Sequence, residues 1–144
     1  MVRSNIRDRN TLFVCHDNAC LSLIAEAIAK EHLPPKTQVF SAGLKPGKID
    51  PTAIQVLREI GIDLSAQEAK GLDAVPIHDI DLIIMVGEPS GSQSLPHARA
   101  KLRAWNISDP RGDPGANLQA FRHLRDELDS RVAGLFLDYW RNIV

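Results

Sequence analysis

The chain has 144 residues, of which 44% are hydrophobic, and a formal net charge of −1. This length and composition suit one domain with its own hydrophobic core. A nearly neutral chain has no general electrostatic attraction for nucleic acid or for an anionic membrane, so we expect neither partner. The sequence shows no signal peptide and no apolar run of membrane-spanning length, and its two cysteines lie close together, which predicts a cytoplasmic protein.

The most informative pattern lies near the N-terminus. Polar residues 1–10 predict a flexible N-terminal extension, and residues 11–144 predict a single domain. The apolar run 11–15 predicts a buried strand that ends at Cys15, and the apolar spacing over 21–32 predicts an amphipathic helix. The polar residues between them place Cys15 at a turn from a strand into a helix.

The rest of the chain alternates between strand and helix patterns. Asp50 and Pro51 are a typical N-cap and first helical residue, and Gly61 ends the helix that they begin. The further predicted elements are a strand over 38–41, a helix over 51–60, a strand over 82–86, a helix over about 93–102, a strand over about 103–107 and a C-terminal helix from about 118. This alternation predicts a three-layer α/β/α fold around a parallel sheet, with functional sites beyond the carboxyl ends of the strands.

The position of Cys15 favours a reactive thiol. Thiolate is the nucleophilic form of cysteine, and a helix N-terminus with converging backbone N–H groups stabilises it. The same N–H groups form a concavity that can hold an oxyanion. The pattern therefore predicts a nucleophile beside an oxyanion site.

Several motifs match one family of enzymes. The run from Cys15 to Ser22 resembles the Cys-x5-Arg-Ser loop of the low-molecular-weight protein tyrosine phosphatases and of the arsenate reductases built on the same fold. The resemblance continues through Ser41-Ala42-Gly43 and Asp109-Pro110 to about residue 140. It implies a four-stranded parallel sheet with strand order 2-1-3-4.

The resemblance also implies a role for each matching residue. Cys15 would attack a phosphate monoester or arsenate, Asp109 would act as the general acid, and Ser22 would orient the thiolate. The oxyanion-binding loop would comprise His16, Asp17, Asn18, Ala19, Cys20 and Leu21. The expected ligand is a phosphate-like oxyanion or a phosphorylated substrate, and we expect no metal and no other cofactor because the loop matches no metal-binding spacing.

Two positions of the loop depart from the family pattern. Leu21 stands where the family has an arginine, whose guanidinium grips two oxygens of the anion. Losing that grip costs about two to four orders of magnitude in rate, since a hydrogen bond to a charged group contributes roughly 1.5–3 kcal/mol. Asp17 replaces a usual glycine and repels an anion. We therefore expect weakened or lost activity, and Arg111, beside Asp109, is the one candidate for a replacement cation.

The surroundings of the loop favour the arsenate-reductase branch of the family. The tyrosine phosphatases have aromatic residues that wall the phenyl ring, whereas Leu44 and Arg111 stand at the corresponding places here. Thioredoxin-coupled reductases need two further cysteines after the third strand, and residues 87–92 contain none. Arsenate chemistry would therefore need an external small thiol as partner.

Two other functions fit the same residues. A non-catalytic relative could use the fold to bind a protein or ligand, with Leu21 making the pocket apolar. Alternatively, the resemblance to phosphatases with a neighbouring loop cysteine suggests that Cys15 and Cys20 form a thiol redox element. The fold alone does not choose among these functions.

Overall fold

The structure, a computed structural model, describes residues 10–32, 37–87, 100–113 and 115–141. Its elements in chain order are strand β1 (Thr11–Cys15), helix α1 (Leu21–His32), strand β2 (Val39–Gly43), helix α2 (Pro51–Arg58), strand β3 (Leu82–Val86), strand β4 (Lys101–Trp105) and helix α3 (Leu118–Arg141). Short 3₁₀ turns lie at Leu72–Ala74, Ile77–Asp79 and Pro110–Gly112. Of the helices described, none is long and apolar enough to cross a membrane.

The four strands form one parallel sheet in the order β2-β1-β3-β4, which confirms the predicted α/β fold and strand order. In the register of this sheet, Cys15 at the end of β1 lies beside Gly43 at the end of β2. Because all strands run the same way, their carboxyl ends meet at one edge. That edge carries the loop after Cys15 and the segment after β4 that contains Asp109.

The described helices pack on one face of the sheet. Their apolar side chains form one core with alternate residues of the strands, and α3 contributes a regular buried stripe to it: Phe121, Leu124, Leu128, Val132 and Leu135. The other sheet face is covered, within the described residues, by a smaller core that includes Val75 and Ile80 from the turn-rich segment before β3. Strands β1, β2 and β3 are therefore buried on both faces, which is typical of a parallel sheet.

Several element boundaries differ from those predicted. Helix α2 ends at Arg58 rather than at residue 60, because the chain turns at Gly61, whose φ is +84°. Strand β2 extends to Gly43, two residues beyond the predicted end.

Strand β4 is also shifted. It occupies Lys101–Trp105 rather than about 103–107, so the predicted helix over about 93–102 is wrong at Lys101 and Leu102. Residues 93–99 of that helix lie outside the described residues. Only Trp105 of this edge strand is buried, and exposed residues such as Arg103 occupy the rest of it. The sequence of β4 therefore lacks the apolar alternation from which a strand is predicted.

The predicted N-terminal extension over 1–10 lies outside the described residues except for Asn10. The Asn10 amide nitrogen donates to the Asp81 carboxylate at 2.8 Å, and its carbonyl accepts from the amide nitrogens of Asp81 and Leu82. These bonds tie the residue before β1 to Asp81 and to Leu82, the first residue of β3.

Candidate active site

The loop between β1 and α1 turns its carbonyl groups outward. Four of its carbonyl oxygens accept hydrogen bonds of 2.8–3.1 Å from amides of the segment 44–50, and they belong to Cys15, His16, Asp17 and Ala19. The N–H of each following residue points the opposite way, because carbonyl and N–H are antiparallel across a trans peptide. Such a set of N–H groups is the arrangement that binds anions in protein loops.

The Cys15 thiol lies inside this loop and is nearly buried, with 3% of its surface exposed. Its sulfur shares a hydrogen bond of 2.9 Å with the hydroxyl of Ser22, and the Ser22 amide nitrogen lies 3.4 Å from the same sulfur. These contacts place Ser22 where it can orient the thiol and stabilise its thiolate, which is the role that the sequence predicts for it.

Asn18 holds the loop in shape. Its φ is +53°, a left-handed conformation that asparagine tolerates better than most residues. Its amide nitrogen donates to the hydroxyls of Ser22 and Ser41 at 2.9 Å each, and its amide oxygen accepts from the backbone nitrogen of Lys70 at 3.0 Å. One fully buried side chain thus ties the loop to α1, to β2 and to the segment before β3.

Sequence reasoning gave no role to a buried charged group behind Asn18. The Ser41 hydroxyl donates to Glu26 at 2.5 Å, and Glu26 is 5% exposed within the buried part of α1. The ammonium groups of Lys30 and Lys70 lie 3.1 and 3.5 Å from its carboxylate oxygens. A glutamate at a buried helical position was the signal that could have revealed this cluster, because carboxylates are rarely buried without partners.

Leu21 forms an apolar part of the pocket wall. It is 4% exposed, and its Cδ1 lies only 2.7 Å from the point that a Cβ on Gly87 would occupy. Gly87 has a φ of +104°, so the backbone there needs glycine both for its conformation and for the room that Leu21 takes. The wall at this position therefore presents methyl groups and no hydrogen-bond donor.

Arg111 bridges the two carboxylates of the site. Its Nε donates to both carboxylate oxygens of Asp109 at 3.1 Å, and its Nη2 lies 2.6 Å from Asp109 Oδ2. Its Nη1 and Nη2 donate to the Asp17 carboxylate at 2.9 and 3.2 Å. The guanidinium therefore joins the loop after β1 to the segment after β4.

The electrostatics of this bridge favour the charged forms of Asp17 and Arg111. Burial alone would raise the pKa of Asp17, but the hydrogen bonds and the charge of Arg111 outweigh it and lower that pKa below its usual value. The hydrogen bonds to Asp109, opposed by burial and reinforced by those to Asp17, raise the pKa of Arg111 above its usual value. The Arg111 guanidinium thus forms ion pairs with the carboxylates of both Asp17 and Asp109.

A pocket of about 660 Å³ opens in front of the thiol. The structure brings Cys15, His16, Leu21, Asp109 and Arg111 together in its lining, with Met85, Val86 and Ile107 as further apolar wall. Asn18, Ala19 and Cys20 are fully buried behind the loop surface. The nucleophile and acid predicted from sequence share one pocket, and their catalytic roles stay predictions. The described residues contain no cluster of side chains suited to a metal ion.

Cys20 has a different environment from Cys15. Both are free thiols, but Cys20 is fully buried, and its burial, followed by the negative charge of Asp109, raises the pKa of its thiol well above the usual value. Cys20 therefore stays protonated at neutral pH, and Cys15 is the thiol that faces the pocket.

Mild oxidation with a disulfide reagent is expected to attack Cys15 first and then to form an intramolecular disulfide with Cys20. The protonated Cys20 makes the second step slow at neutral pH and faster as the pH rises. Peptide mass spectrometry measures both steps, and Cys20→Ser is the control that leaves only a mixed disulfide on Cys15. Only disulfides between chains in the wild type would contradict this expectation.

These features together define a class of protein: a parallel α/β domain whose first strand ends in a cysteine enclosed by an anion-binding loop. The family model described as low molecular weight phosphotyrosine protein phosphatase matches residues 10–142, and the chain belongs to that family.

Similar proteins place the chain near one branch of the family. It is 32% identical over 124 residues to an arsenate reductase of Bacillus licheniformis, covering 83% of this chain and 89% of that one. A solved structure described as an arsenate reductase in the phosphate binding state superposes with a TM-score of 0.79 at 31% identity, over 91% and 98% of the two chains. The tyrosine phosphatase amsI of Erwinia amylovora has a TM-score of 0.73 at 28% identity, over 90% and 91%. The predicted arsenate-reductase-like branch is confirmed.

Proposed function

We propose that this protein carries out the cysteine-dependent chemistry of its family on a phosphate monoester or arsenate, at a rate far below that of a relative with the loop arginine. One observation carries the proposal: the wall beside Cys15 is apolar at Leu21, and the guanidinium that lines the pocket is already held by two carboxylates. The nucleophile is present while the grip on the anion is weak.

The proposed reaction begins at Cys15. Its thiolate attacks phosphorus, the bond from phosphorus to the ester oxygen breaks, and Asp109 in its protonated form gives that oxygen its proton. Water then cleaves the thiophosphate, with the Asp109 carboxylate accepting the proton of the water. With arsenate, the Cys15 thiolate displaces water from arsenic and forms a sulfur–arsenic bond. An external small thiol then attacks the Cys15 sulfur, the sulfur–arsenic bond breaks, and arsenic leaves with the electron pair as arsenite. A second small thiol reduces the resulting mixed disulfide and regenerates Cys15.

Three features support the first step. The Ser22 hydroxyl and amide contact the sulfur, the outward-turned carbonyls leave N–H groups for the oxyanion, and Asn18 fixes the loop. Two features oppose it. Leu21 donates nothing to the transition state, and Asp109 must leave Arg111 before it can carry a proton to the leaving group.

A non-catalytic ligand-binding function is the second candidate, favoured by the apolar wall of the pocket. Leu21, Met85, Val86 and Ile107 line it next to the thiol. A pocket of this composition suits an apolar or weakly charged ligand better than a phosphate dianion.

The test is hydrolysis of an aryl phosphate, and reduction of arsenate with an added small thiol, by the wild type and by Cys15→Ser. We expect turnover well below about 1 per second, the low end of the usual range for enzymes, and its complete loss in Cys15→Ser. Turnover above that value would show that the arginine is dispensable. Activity that is undetectable, or that survives in Cys15→Ser, would favour the ligand-binding function.

A further inference from the structure

Arg111 presents two edges of its guanidinium to two different carboxylates. The Nε and Nη2 edge contacts Asp109, which lies two residues away in the same segment. The Nη1 and Nη2 edge contacts Asp17, which lies 94 residues away within the loop that encloses the thiol. The first contact anchors the guanidinium locally, and the second directs its remaining donors at the oxyanion loop.

The contact with Asp17 has the geometry of oxyanion recognition. Nη1 lies 2.9 Å from Oδ2 and Nη2 lies 3.2 Å from Oδ1, so two parallel N–H groups meet two oxygens of one anion. Arginine binds phosphate and arsenate oxygens through the same bidentate fork. The Asp17 carboxylate thus occupies the place that two oxygens of a bound ligand would take on this edge.

We propose that Arg111 is the oxyanion-binding cation of this site and that Asp17 is an internal anion that competes with the ligand for it. The inference rests on the proposed function and names the residue that replaces the loop arginine. Ligand binding exchanges the Asp17 carboxylate for the oxyanion on the Nη1 and Nη2 edge, while the Asp109 contact continues to orient the guanidinium.

The position of the three side chains makes this exchange feasible. The side chains of Arg111, Asp17 and Asp109 are 26%, 24% and 30% exposed. Water can therefore solvate the Asp17 carboxylate when its contact with Arg111 breaks. Arg111 also lines the same pocket as Cys15, whereas Asp17 does not line it. Rotation of Asp17 toward solvent therefore frees a donor edge on a guanidinium that lines the pocket.

The test is calorimetric titration of the full chain with inorganic phosphate. Asp17→Asn removes the competing charge and is expected to bind phosphate about tenfold tighter than the wild type or more, since a charge-assisted hydrogen bond is worth about one to two decades in affinity. Arg111→Met is expected to bind more weakly than the wild type, and Arg111→Lys, which keeps the charge without the fork, lies between them.

The double variant separates a specific exchange from a general charge effect. If Arg111 takes the ligand, Asp17→Asn gains less affinity in the Arg111→Met background than in the wild type. Asp113→Asn is the matched control, because Asp113 also lines the pocket but its side chain contacts the Gly115 amide and not Arg111. This control is expected to change affinity much less than Asp17→Asn does.

Three results would overturn the inference. These are equal gains from Asp17→Asn in both backgrounds, equal gains from Asp17→Asn and Asp113→Asn, or unchanged affinity in Arg111→Met. Thermal unfolding of each variant confirms that it is folded. Leu21→Arg distinguishes the two proposals: if it binds phosphate while Asp17→Asn shows no gain, only the role of Arg111 fails. If no variant binds phosphate, the proposed function fails with it.

Discussion

Replacing Leu21 with arginine and Asp17 with glycine is expected to raise Cys15-dependent hydrolysis of an aryl phosphate by about two to four orders of magnitude. The new guanidinium would supply the bidentate grip that the wall lacks, and loss of Asp17 would remove a repulsive charge and release Arg111. Leu21 lines the pocket of about 660 Å³, so the longer side chain can extend into that pocket.

Both single variants are needed to interpret this result, since each change acts on a different part of the site. Leu21→Lys is the matched control, because it adds a charge at the same position without the planar fork and should recover less activity. The unfolding temperature with and without phosphate reports binding independently of turnover, since a ligand that binds only the folded state raises it.

An arginine at a buried position also carries a risk of destabilisation. If the pocket no longer admits an anion, the new charge stays unpaired and lowers the unfolding temperature. A double variant that folds normally yet neither binds phosphate nor hydrolyses the ester would falsify the weakened-phosphatase interpretation. The ligand-binding function would then be the better account of the site.

The sequence predicted the fold well where the signal is local. Strand β1, helix α1 and strand β3 have the bounds predicted from their apolar patterns, because each consists largely of buried residues and the apolar pattern marks where it begins and ends. The predicted bounds of strand β4 were wrong because its residues up to Ala104 are exposed, so no apolar pattern in the sequence marks where the strand begins.

Only a part of the site was predictable from the sequence. The rule for parallel sheets places Cys15 and Asp109 at one edge, and the resemblance to the family implied that Ser22 contacts the thiol. The ion pair of Asp17 with Arg111 was not predictable, because it joins residues 94 positions apart through side-chain conformations. The sequence identified both residues as unusual but gave no reason to pair them.

The second large effect is expected from Gly43→Ala. Gly43 ends β2 beside Cys15, and its amide donates to the Lys70 carbonyl at 2.8 Å. A Cβ there would lie 2.6 Å from the carbonyl carbon of Asp17 and 2.7 Å from the amide nitrogen of Asn18. Backbone atoms cannot turn aside as a flexible side chain does, so the loop around the thiol must shift.

We expect Gly43→Ala to lose about 3 kcal/mol of unfolding free energy, at the upper end for overpacking, which lowers the unfolding temperature by roughly 10 °C for a domain of this size. Turnover and phosphate binding should fall as well, because the shift displaces Asn18 and the N–H groups of the loop. Calorimetry and an aryl phosphate assay below the unfolding temperature of the variant measure the two effects separately.

Gly134→Ala is the matched control for this prediction. Gly134 is exposed on α3, and beyond its chain neighbours and the adjacent helix backbone no atom lies within 4 Å of the added Cβ. The same substitution should therefore stabilise the protein by about 0.5–1 kcal/mol through helix propensity. If Gly43→Ala lowers the free energy of unfolding and Gly134→Ala raises it, the space beside the loop determines the change in stability, and the loss of glycine as such does not. If Gly43→Ala unfolds at the wild-type temperature and keeps its phosphate affinity, the loop is not held in place by close packing on β2.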